Sequence, residues 1–222
     1  MNIDRALVIG TGGIGSAVTA ELRGRGTEVV TLSRSKDGLD VTDAGSVERA
    51  LGAAEGPFDL VFVAVGILAA DGAAPEKSLS AIDAGDMARV LAVNAIGPAL
   101  ILRHVPRLIP KDRPSAVAVL SARVGSISDN RIGGWYSYRD SKAALNQIVH
   151  GAAIELGRSH KQARVLALHP GTVETPFTAD YAGRHKTVTA AEAAANLLSV
   201  IADKGPEDSG GFFDYAGKAV PW

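Results

Sequence analysis

Short apolar runs alternate along the chain with longer segments in which apolar residues recur at helical spacing. Runs such as 60–65 and 116–120 are apolar throughout and end at a glycine or a serine. This pattern is typical of strands that are buried on both faces of a parallel sheet. Strand and helix in repeated succession predict an α/β fold, a doubly wound parallel sheet with helices on both faces. The predicted strands, about seven, are 6–9, 28–33, 38–43, 59–66, 115–121, 164–169 and 211–214.

One long helical pattern, from 83 to about 108, contains residues that weaken a helix. Asn94 is followed by Gly97 and by Pro98, which lacks the N–H that an uninterrupted helix needs. We therefore expect a local kink there. No linker or low-complexity stretch divides the chain, so we expect a single domain over residues 1–222.

The composition narrows the possible partners and locations. The chain has 222 residues, 46% hydrophobic and 21% charged, and a net charge of −1. So small a net charge favours neither nucleic acid nor an anionic membrane as a partner. The absence of cysteine excludes disulfides and thiolate metal sites and fits a cytoplasmic location, and we expect no metal site. The first residues lack the pattern of a signal peptide, and we expect no apolar run long enough to cross a bilayer.

A glycine-rich turn follows the first predicted strand and opens the first helix. Its residues, which match Gly-x-Gly-x-x-Gly, are Gly10, Thr11, Gly12, Gly13, Ile14 and Gly15. In this context the glycines let a pyrophosphate approach the backbone, and the helix N-terminus offers it amide donors. The turn therefore predicts a dinucleotide site on a Rossmann fold. The alternatives are a plain glycine-rich turn and the glycine turn of an S-adenosylmethionine-dependent methyltransferase.

The end of the second strand bears on the choice of dinucleotide. An acidic residue there would accept hydrogen bonds from the ribose hydroxyls of NAD, whereas this chain has Ser33 and Arg34. A guanidinium can pair with a 2′-phosphate, so the sequence favours NADP(H), with NAD(H) still possible. The alternative for Arg34 is a solvated loop charge.

Tyr138 and Lys142 are four residues apart in a segment of good helix formers, so they lie one turn apart on one helix face. A nearby ammonium favours the phenolate and is expected to lower the tyrosine's pKa. A tyrosine so tuned can give a proton to a carbonyl oxygen or take one from an alcohol. The alternative is a packed tyrosine beside a solvated lysine. Loops after the strand ends, including 10–15, 33–35, 64–66 and 121–134, would meet this helix in one crevice.

Taken together, these motifs resemble the short-chain dehydrogenase/reductase family over essentially the whole chain. The resemblance rests on the glycine turn, Asp40-Val41, Asn94, Tyr138-x-x-x-Lys142 and the stretch 170–175. The segment 120–146 and the C-terminal tail are most similar to the branch of C-factor (C-signal) proteins and sniffer-like carbonyl reductases.

The resemblance implies a role for each matching residue. Tyr138 would be the general acid/base, Lys142 would lower its pKa and bind the nicotinamide ribose, and Asn94 would hold a water for proton relay. The sequence leaves open that Asn94 is a capping or core-bonded amide instead. The remaining residues expected at the cofactor are Asp40, Val41, Val65, Gly66, Pro170, Gly171, Val173 and Thr175.

The chain departs from the family pattern in three places. The glycine turn is one residue shorter than usual. The family's Asn-Asn-Ala-Gly is replaced here by Val63 to Gly66 and loses its asparagines. At the catalytic serine, Ala122 takes the matching position, Ser121 is one residue away, and Ser126 on the following loop could substitute.

The sequence thus predicts an NADP-dependent oxidoreductase acting on a small-molecule carbonyl or alcohol. The alternative is a cofactor-binding regulatory or signalling protein on the same fold. The expected walls of the substrate pocket are residues 133–136 and 177–186, with Trp135 favouring a substrate that has an apolar part. The resemblance also implies a homodimer or homotetramer assembled through the two long helices.

Overall fold

The computed structural model describes residues 1–175 and 187–222. Its strands are β1 (Arg5–Ile9), β2 (Glu28–Leu32), β3 (Leu60–Val63), β4 (Ser115–Leu120), β5 (Ala163–His169) and β6 (Phe212–Asp214). Its helices are α1 (Gly13–Gly24), α2 (Arg34–Asp37), α3 (Ala44–Gly52), α4 (Ala84–Leu91), α5 (Gly97–Leu102), α6 (Val105–Leu108), α7 (Tyr136–Leu156) and α8 (Ala190–Asp203).

The strands form one parallel sheet in the order β2-β1-β3-β4-β5-β6. This confirms the predicted fold class with six strands in place of about seven. The strand predicted over 38–43 is wrong, because side chains there bond the backbone locally. Asp40 accepts hydrogen bonds from the backbone N–H and the hydroxyl of Thr42, and Asp43 caps α3 by accepting from Gly45. Such contacts favour a turn over a ladder.

Two apolar cores lie on the two faces of the sheet. On β1, Leu7 and Ile9 point into the core shared with α3, α5, α6 and α7, whereas Ala6 and Val8 point into the core shared with α1 and α8. Successive residues of a strand face opposite sides, so a run that is apolar throughout has helices on both. The doubly wound arrangement follows directly from these uninterrupted runs.

The long helical segment changes its geometry where a kink was expected. Between α4 and α5 lies a π-helical turn, Ala92–Ile96, which contains Asn94. Pro98 follows within α5, and its missing N–H is compatible with a widened turn just before it. The irregularity brings the buried Asn94 side chain to face the loop after β3.

Ala84–Leu102 is also long and apolar enough to cross a bilayer, with a mean hydropathy of 1.3. The expectation that no stretch of the chain reaches that length is therefore corrected. Length and composition alone are weak grounds for a membrane span. The stretch carries Asp86 and Arg89, and α4 and the π-helical turn pack against α7.

The carboxyl ends of β1, β3, β4 and β5 lie side by side at one edge of the sheet. The strand order reverses between β1 and β3, because β1 pairs with β2 on one side and with β3 on the other. In open α/β sheets the crevice at such a reversal is where ligands bind.

Candidate functional site

A cavity of about 200 Å³ opens at this reversal. Many of the residues predicted for the site line it, namely Gly12, Ile14, Val65, Gly66, Ser121, Tyr138, Lys142, Pro170, Gly171, Val173 and Thr175. The lining also includes Ala64, Ala122 and His169, which belong to loops expected at the crevice but had no individual role assigned, and Leu120, which was not predicted. The glycine turn and the Tyr138–Lys142 helix therefore meet in one crevice, as the strand ends predict.

The glycines of the turn allow a close approach of backbone to backbone. A Cβ at Gly15 would lie 1.9 Å from the carbonyl oxygen of Gly10, and a Cβ at Gly10, which has a φ of +93°, would lie 2.5 Å from that of Ala64. A Cβ at Gly13 would lie 2.5 Å from Cγ2 of Thr175. Gly12 differs, because nothing lies within 4 Å of its Cβ position. Three glycines thus shape the turn, and Gly12 leaves open space at the cavity.

The start of α1 suits an anion. Gly12 precedes the helix with no side-chain cap, and no acidic residue lies in the first turn. The first amides of a helix lack intrahelical partners and carry the positive end of its dipole. Thr11 helps to hold the turn, because its carbonyl accepts a hydrogen bond of 2.7 Å from Ser16 Oγ. These features fit the pyrophosphate of a dinucleotide, in spite of the shortened turn.

Ser33 and Arg34 lie at the end of β2, outside the cavity. Ser33 is buried and caps α2, where its hydroxyl accepts a hydrogen bond from Lys36 N–H and donates one to Asp37. Arg34 begins α2 and is exposed, and no ion pair of its guanidinium occurs within 1–175 and 187–222. The hydroxyl of Ser33 is thus used in the local turn, whereas the guanidinium of Arg34 is available to bind a ligand at the strand end.

Asp40 and Val41 do not line the cavity either. The exposed carboxylate of Asp40 accepts two hydrogen bonds from Thr42, at 2.7 and 2.9 Å, and these lower its pKa. Val41 is buried in the core against α5, where a Cβ at Gly97 would lie 2.9 Å from its side chain. The two residues shape the loop between α2 and α3.

Tyr138 and Lys142 lie on the first turns of α7, and both are buried. The Lys142 ammonium is 5.8 Å from the centroid of the Tyr138 ring and donates a hydrogen bond of 3.0 Å to the carbonyl of Leu120 at the end of β4. Burial lowers the pKa of Lys142 to about 8 and raises the pKa of Tyr138 above its usual value. The expectation that Lys142 lowers the tyrosine's pKa is thus wrong for this state, because desolvation outweighs the charge at this separation.

Asn94 is a structural bridge. Its Oδ1 accepts a hydrogen bond of 2.8 Å from the N–H of Ile67, and its Nδ2 donates to the carbonyl of Ile67 at 2.8 Å and to Ser141 Oγ at 2.9 Å. Ser141 in turn donates to the carbonyl of Tyr138 at 2.8 Å. Both N–H groups of the amide are therefore used in fastening the loop after β3 to α7, as in the alternative of a core-bonded amide.

The serines near the end of β4 are committed to structural contacts. Ser121 is buried and donates a hydrogen bond of 2.6 Å to the side-chain oxygen of Asn146 on α7. Ser126 is buried and accepts a hydrogen bond from the N–H of Asp129 at 3.1 Å. Ala122, which matches the position of the family's serine, lines the cavity with a methyl group.

Glu76, for which the sequence predicted no role, holds the start of α7 in place by hydrogen bonds. Its carboxylate accepts hydrogen bonds from the N–H and the hydroxyl of Ser137, and its carbonyl accepts one from the N–H of Trp135. Trp135 has a φ of +53° and contacts Tyr138 edge to face, with 6.2 Å between ring centroids. A glutamate 61 residues before its partner Ser137 gives no sequence signal for this contact. Of the two predicted pocket walls, 177–186 lies outside the described residues.

Comparisons with known proteins agree with this geometry. A family model described as enoyl-(acyl carrier protein) reductase matches residues 8–205. The chain is 33% identical over 232 residues to the 1-hydroxy-2-glutathionyl-2-methyl-3-butene dehydrogenase of Rhodococcus sp. (strain AD45), covering 97% of this chain and 98% of the relative. It is 42% identical over 148 residues to C-signal of Myxococcus xanthus, covering 65% of this chain and 84% of the relative.

Solved structures share the fold. The NADPH-bound carbonyl reductase from chicken fatty liver matches the whole of this chain and 95% of its own, with a TM-score of 0.84 at 22% identity. At that level of identity the likeness concerns the fold alone. The family model and the Rhodococcus relative each span nearly the whole chain, and C-signal belongs to the branch that the sequence motifs resemble. The chain is thus a member of the short-chain dehydrogenase/reductase family of oxidoreductases.

Proposed function

We propose that this protein is an NADP(H)-dependent oxidoreductase that reduces a small-molecule carbonyl to an alcohol and can run in reverse. The observation that carries the proposal is the position of Tyr138 and Lys142, both buried, on the wall of the cavity that the glycine turn also lines. A proton donor, a cation and a dinucleotide turn on one cavity suit hydride transfer to a carbonyl.

The residues of the crevice fit the cofactor. The open space at Gly12 and the first amides of α1 would hold the pyrophosphate, and Val65, Gly66 and the stretch Pro170 to Thr175 would line its path along the cavity. The exposed Arg34 would pair with a 2′-phosphate, and Asp40 on the next loop would approach the adenine. The bound NADPH supplies the hydride. Two neighbours of known structure, both with NADPH bound, support this choice.

Tyr138 would supply the proton. Burial raises its pKa, so the phenol keeps its proton at neutral pH and can give it to the carbonyl oxygen as negative charge develops there. Lys142, with a pKa of about 8, is mostly charged at neutral pH and stabilises the phenolate that remains. Asn94 and Ser141 hold the backbone of Tyr138 in place. In the oxidative direction the same phenolate would take the proton of the alcohol.

The substrate is proposed only as a class. Trp135, beside Tyr138, favours a carbonyl or alcohol with an apolar part. The Rhodococcus relative is named for an alcohol that carries a glutathionyl group, so a glutathione-conjugated alcohol belongs in the substrate panel beside simple aldehydes and ketones.

The proposal is tested with Tyr138→Phe, which removes one hydroxyl and keeps the ring. NADPH oxidation with 4-nitrobenzaldehyde, cyclohexanone and a panel of other carbonyls should fall by about 10³-fold or more, because the general acid is lost. NADPH binding, followed by fluorescence, should stay within about twofold of wild type. Undiminished turnover in this variant would contradict the proposal.

A second candidate is a cofactor-binding regulatory or signalling protein with little turnover. It is favoured by the methyl group of Ala122 at the cavity and by the commitment of Ser121 and Ser126 to structural contacts. A relative named C-signal is consistent with it. Tight NADPH binding by the wild-type chain with no oxidation across the whole panel would support this candidate against the first.

We also propose a cytoplasmic homodimer or homotetramer. Two large apolar side chains, Ile96 next to α5 and Ile154 on α7, are more than half exposed on the two long helical segments. Apolar surface of this kind favours helix-to-helix contact between copies. Light scattering should show a mass twofold or fourfold that of the chain, and Ile154→Lys should lower it.

A further inference from the structure

His169 is the last residue of β5 and lines the cavity together with Tyr138, Lys142 and Ala122. The parallel pairing of Leu120 with Leu168 places His169 next to the end of β4, where Ser121 donates its backbone N–H to the carbonyl of Leu168 at 2.8 Å. His169 therefore lies at the same edge of the sheet as Ala122, whose side chain contributes no polar group.

The imidazole has no hydrogen-bond partner within 1–175 and 187–222. Nδ1 is enclosed and unpaired, whereas Nε2 is not enclosed, so Nε2 is the nitrogen that a ligand can reach. An enclosed N–H without an acceptor is rarer in proteins than an enclosed lone pair, which favours the tautomer with the proton on Nε2. Burial, with the nearby charge of Arg123, lowers the pKa of His169 to about 4 and keeps the ring neutral. A neutral N–H donor thus belongs to a residue that lines the cavity.

A carbonyl that gains a hydride develops negative charge on its oxygen, which accepts hydrogen bonds at two lone pairs. Tyr138 serves one of them, and a second donor stabilises that charge. Among the other described side chains of the lining, Ser121 donates to Asn146, Lys142 donates to Leu120, and Thr175 lies over Gly13 at the glycine turn. The Lys142 ammonium has further N–H groups, so His169 is the neutral donor among these side chains that makes no structural hydrogen bond.

We propose that Nε2–H of His169 donates the second hydrogen bond to the substrate oxygen and makes His169 a further catalytic residue. The proton that is transferred comes from Tyr138, and His169 keeps its own, so the balance of the reaction is unchanged. The inference rests on the proposed carbonyl reductase function and adds to it a second group that binds the reacting oxygen.

The test compares three variants in the full chain, with 4-nitrobenzaldehyde or the panel carbonyl that wild type reduces fastest. His169→Leu should lower kcat/KM by about 10²-fold, the usual loss of one such donor. His169→Gln carries an N–H in the place of Nε2 and should keep most of the activity. Ala122→Ser in the His169→Leu background adds a hydroxyl at the neighbouring strand end and should restore at least about tenfold.

Binding measurements separate a chemical role from a structural one. NADPH affinity should stay within about twofold in all three variants. The ¹⁵N resonance of Nε2, assigned by its absence from His169→Leu, should shift in the wild type when the product alcohol binds with NADPH. Full activity in His169→Leu would overturn the inference while leaving the proposed function intact, whereas an inactive wild type would defeat the proposed function itself. Equal losses in His169→Leu and His169→Gln, with no restoration by Ala122→Ser, would also overturn the inference.

Discussion

The ammonium of Lys142 lies 5.8 Å from the ring centroid of Tyr138, and both side chains are almost fully buried. At this distance the two groups share one cavity, but desolvation dominates both. It lowers the pKa of Lys142 to about 8 and raises the pKa of Tyr138. The pair is therefore arranged as a protonated phenol beside a cation that is costly to bury, which suits proton donation to a carbonyl.

The buried Lys142 predicts a pH dependence of folding stability in the cofactor-free protein. Its pKa is about 8 when folded, against a reference of 10.5, so the unfolded chain binds more protons between these values. Stability from this group therefore rises with pH from about pH 8 toward pH 10, by up to about 1.4 kcal/mol per pH unit. The rise should be lost in Lys142→Met, as measured by urea unfolding across this range.

The control for that measurement is Lys111→Met, because Lys111 is exposed. Its stability curve should run parallel to that of wild type. If Lys142→Met also runs parallel to wild type between about pH 8 and pH 10, the ammonium is not desolvated and this part of the account is wrong.

Arg34 is predicted to determine the preference for NADPH over NADH. Arg34→Ala removes a guanidinium that can pair with a 2′-phosphate, and charge-assisted hydrogen bonds of this kind contribute about 1.5–3 kcal/mol. The dissociation constant for NADPH should rise about 10- to 100-fold, while that for NADH changes little. Fluorescence titration measures both, and Arg158→Ala, at an exposed arginine on another surface, serves as the control. Equal losses for the two dinucleotides would rule out the 2′-phosphate contact.

Substitutions at two glycines of the turn should distinguish an effect on folding stability from an effect on NADPH binding. Gly15→Ala puts a methyl group 1.9 Å from the carbonyl oxygen of Gly10 and should cost about 2–5 kcal/mol of stability. Gly12→Ala meets nothing within 4 Å and should keep wild-type stability to within about 0.5 kcal/mol. It should nevertheless weaken NADPH binding by about tenfold, because the methyl group occupies the approach of the pyrophosphate. Undiminished binding in Gly12→Ala would place the pyrophosphate elsewhere.

Asn94 is expected to contribute to folding stability through the hydrogen bonds of its side chain. Asn94→Ala leaves the N–H and carbonyl of Ile67 and the hydroxyl of Ser141 without this partner, which predicts a loss of about 2–4 kcal/mol in the free energy of unfolding. Ser141→Ala breaks only one side of the bridge and should cost about 1 kcal/mol. Chemical denaturation measures both variants. Wild-type stability in Asn94→Ala would contradict the bridging role.

The sequence predicted what depends on local pattern. Uninterrupted apolar runs specify a parallel sheet with helices on both faces, and the order of the motifs brings Gly12 and Tyr138 to one edge. It failed where side chains compete with backbone pairing, as at Asp40 and Thr42, which form a turn in place of a strand.

The sequence also did not predict contacts between segments that are far apart along the chain. Nothing in the sequence indicates that Glu76 pins the start of α7, or that Ser121 is committed to Asn146. The pKa of Tyr138 was predicted in the wrong direction because spacing reports the nearby charge and not the depth of burial. The loop that begins at His169 was expected at the crevice, but no role for its imidazole was predicted, because that role depends on the neighbouring strand end.

The most direct test of hydride transfer follows the hydrogen itself. Wild-type protein is given a reducible carbonyl with NADPH carrying deuterium at one or the other position of the nicotinamide C4, and the product alcohol is analysed by mass spectrometry. The account predicts one deuterium on the carbinol carbon from one of the two labelled forms, and no labelled product from Tyr138→Phe. An alcohol formed without deuterium from either form, or labelled product at the wild-type rate from Tyr138→Phe, would contradict it.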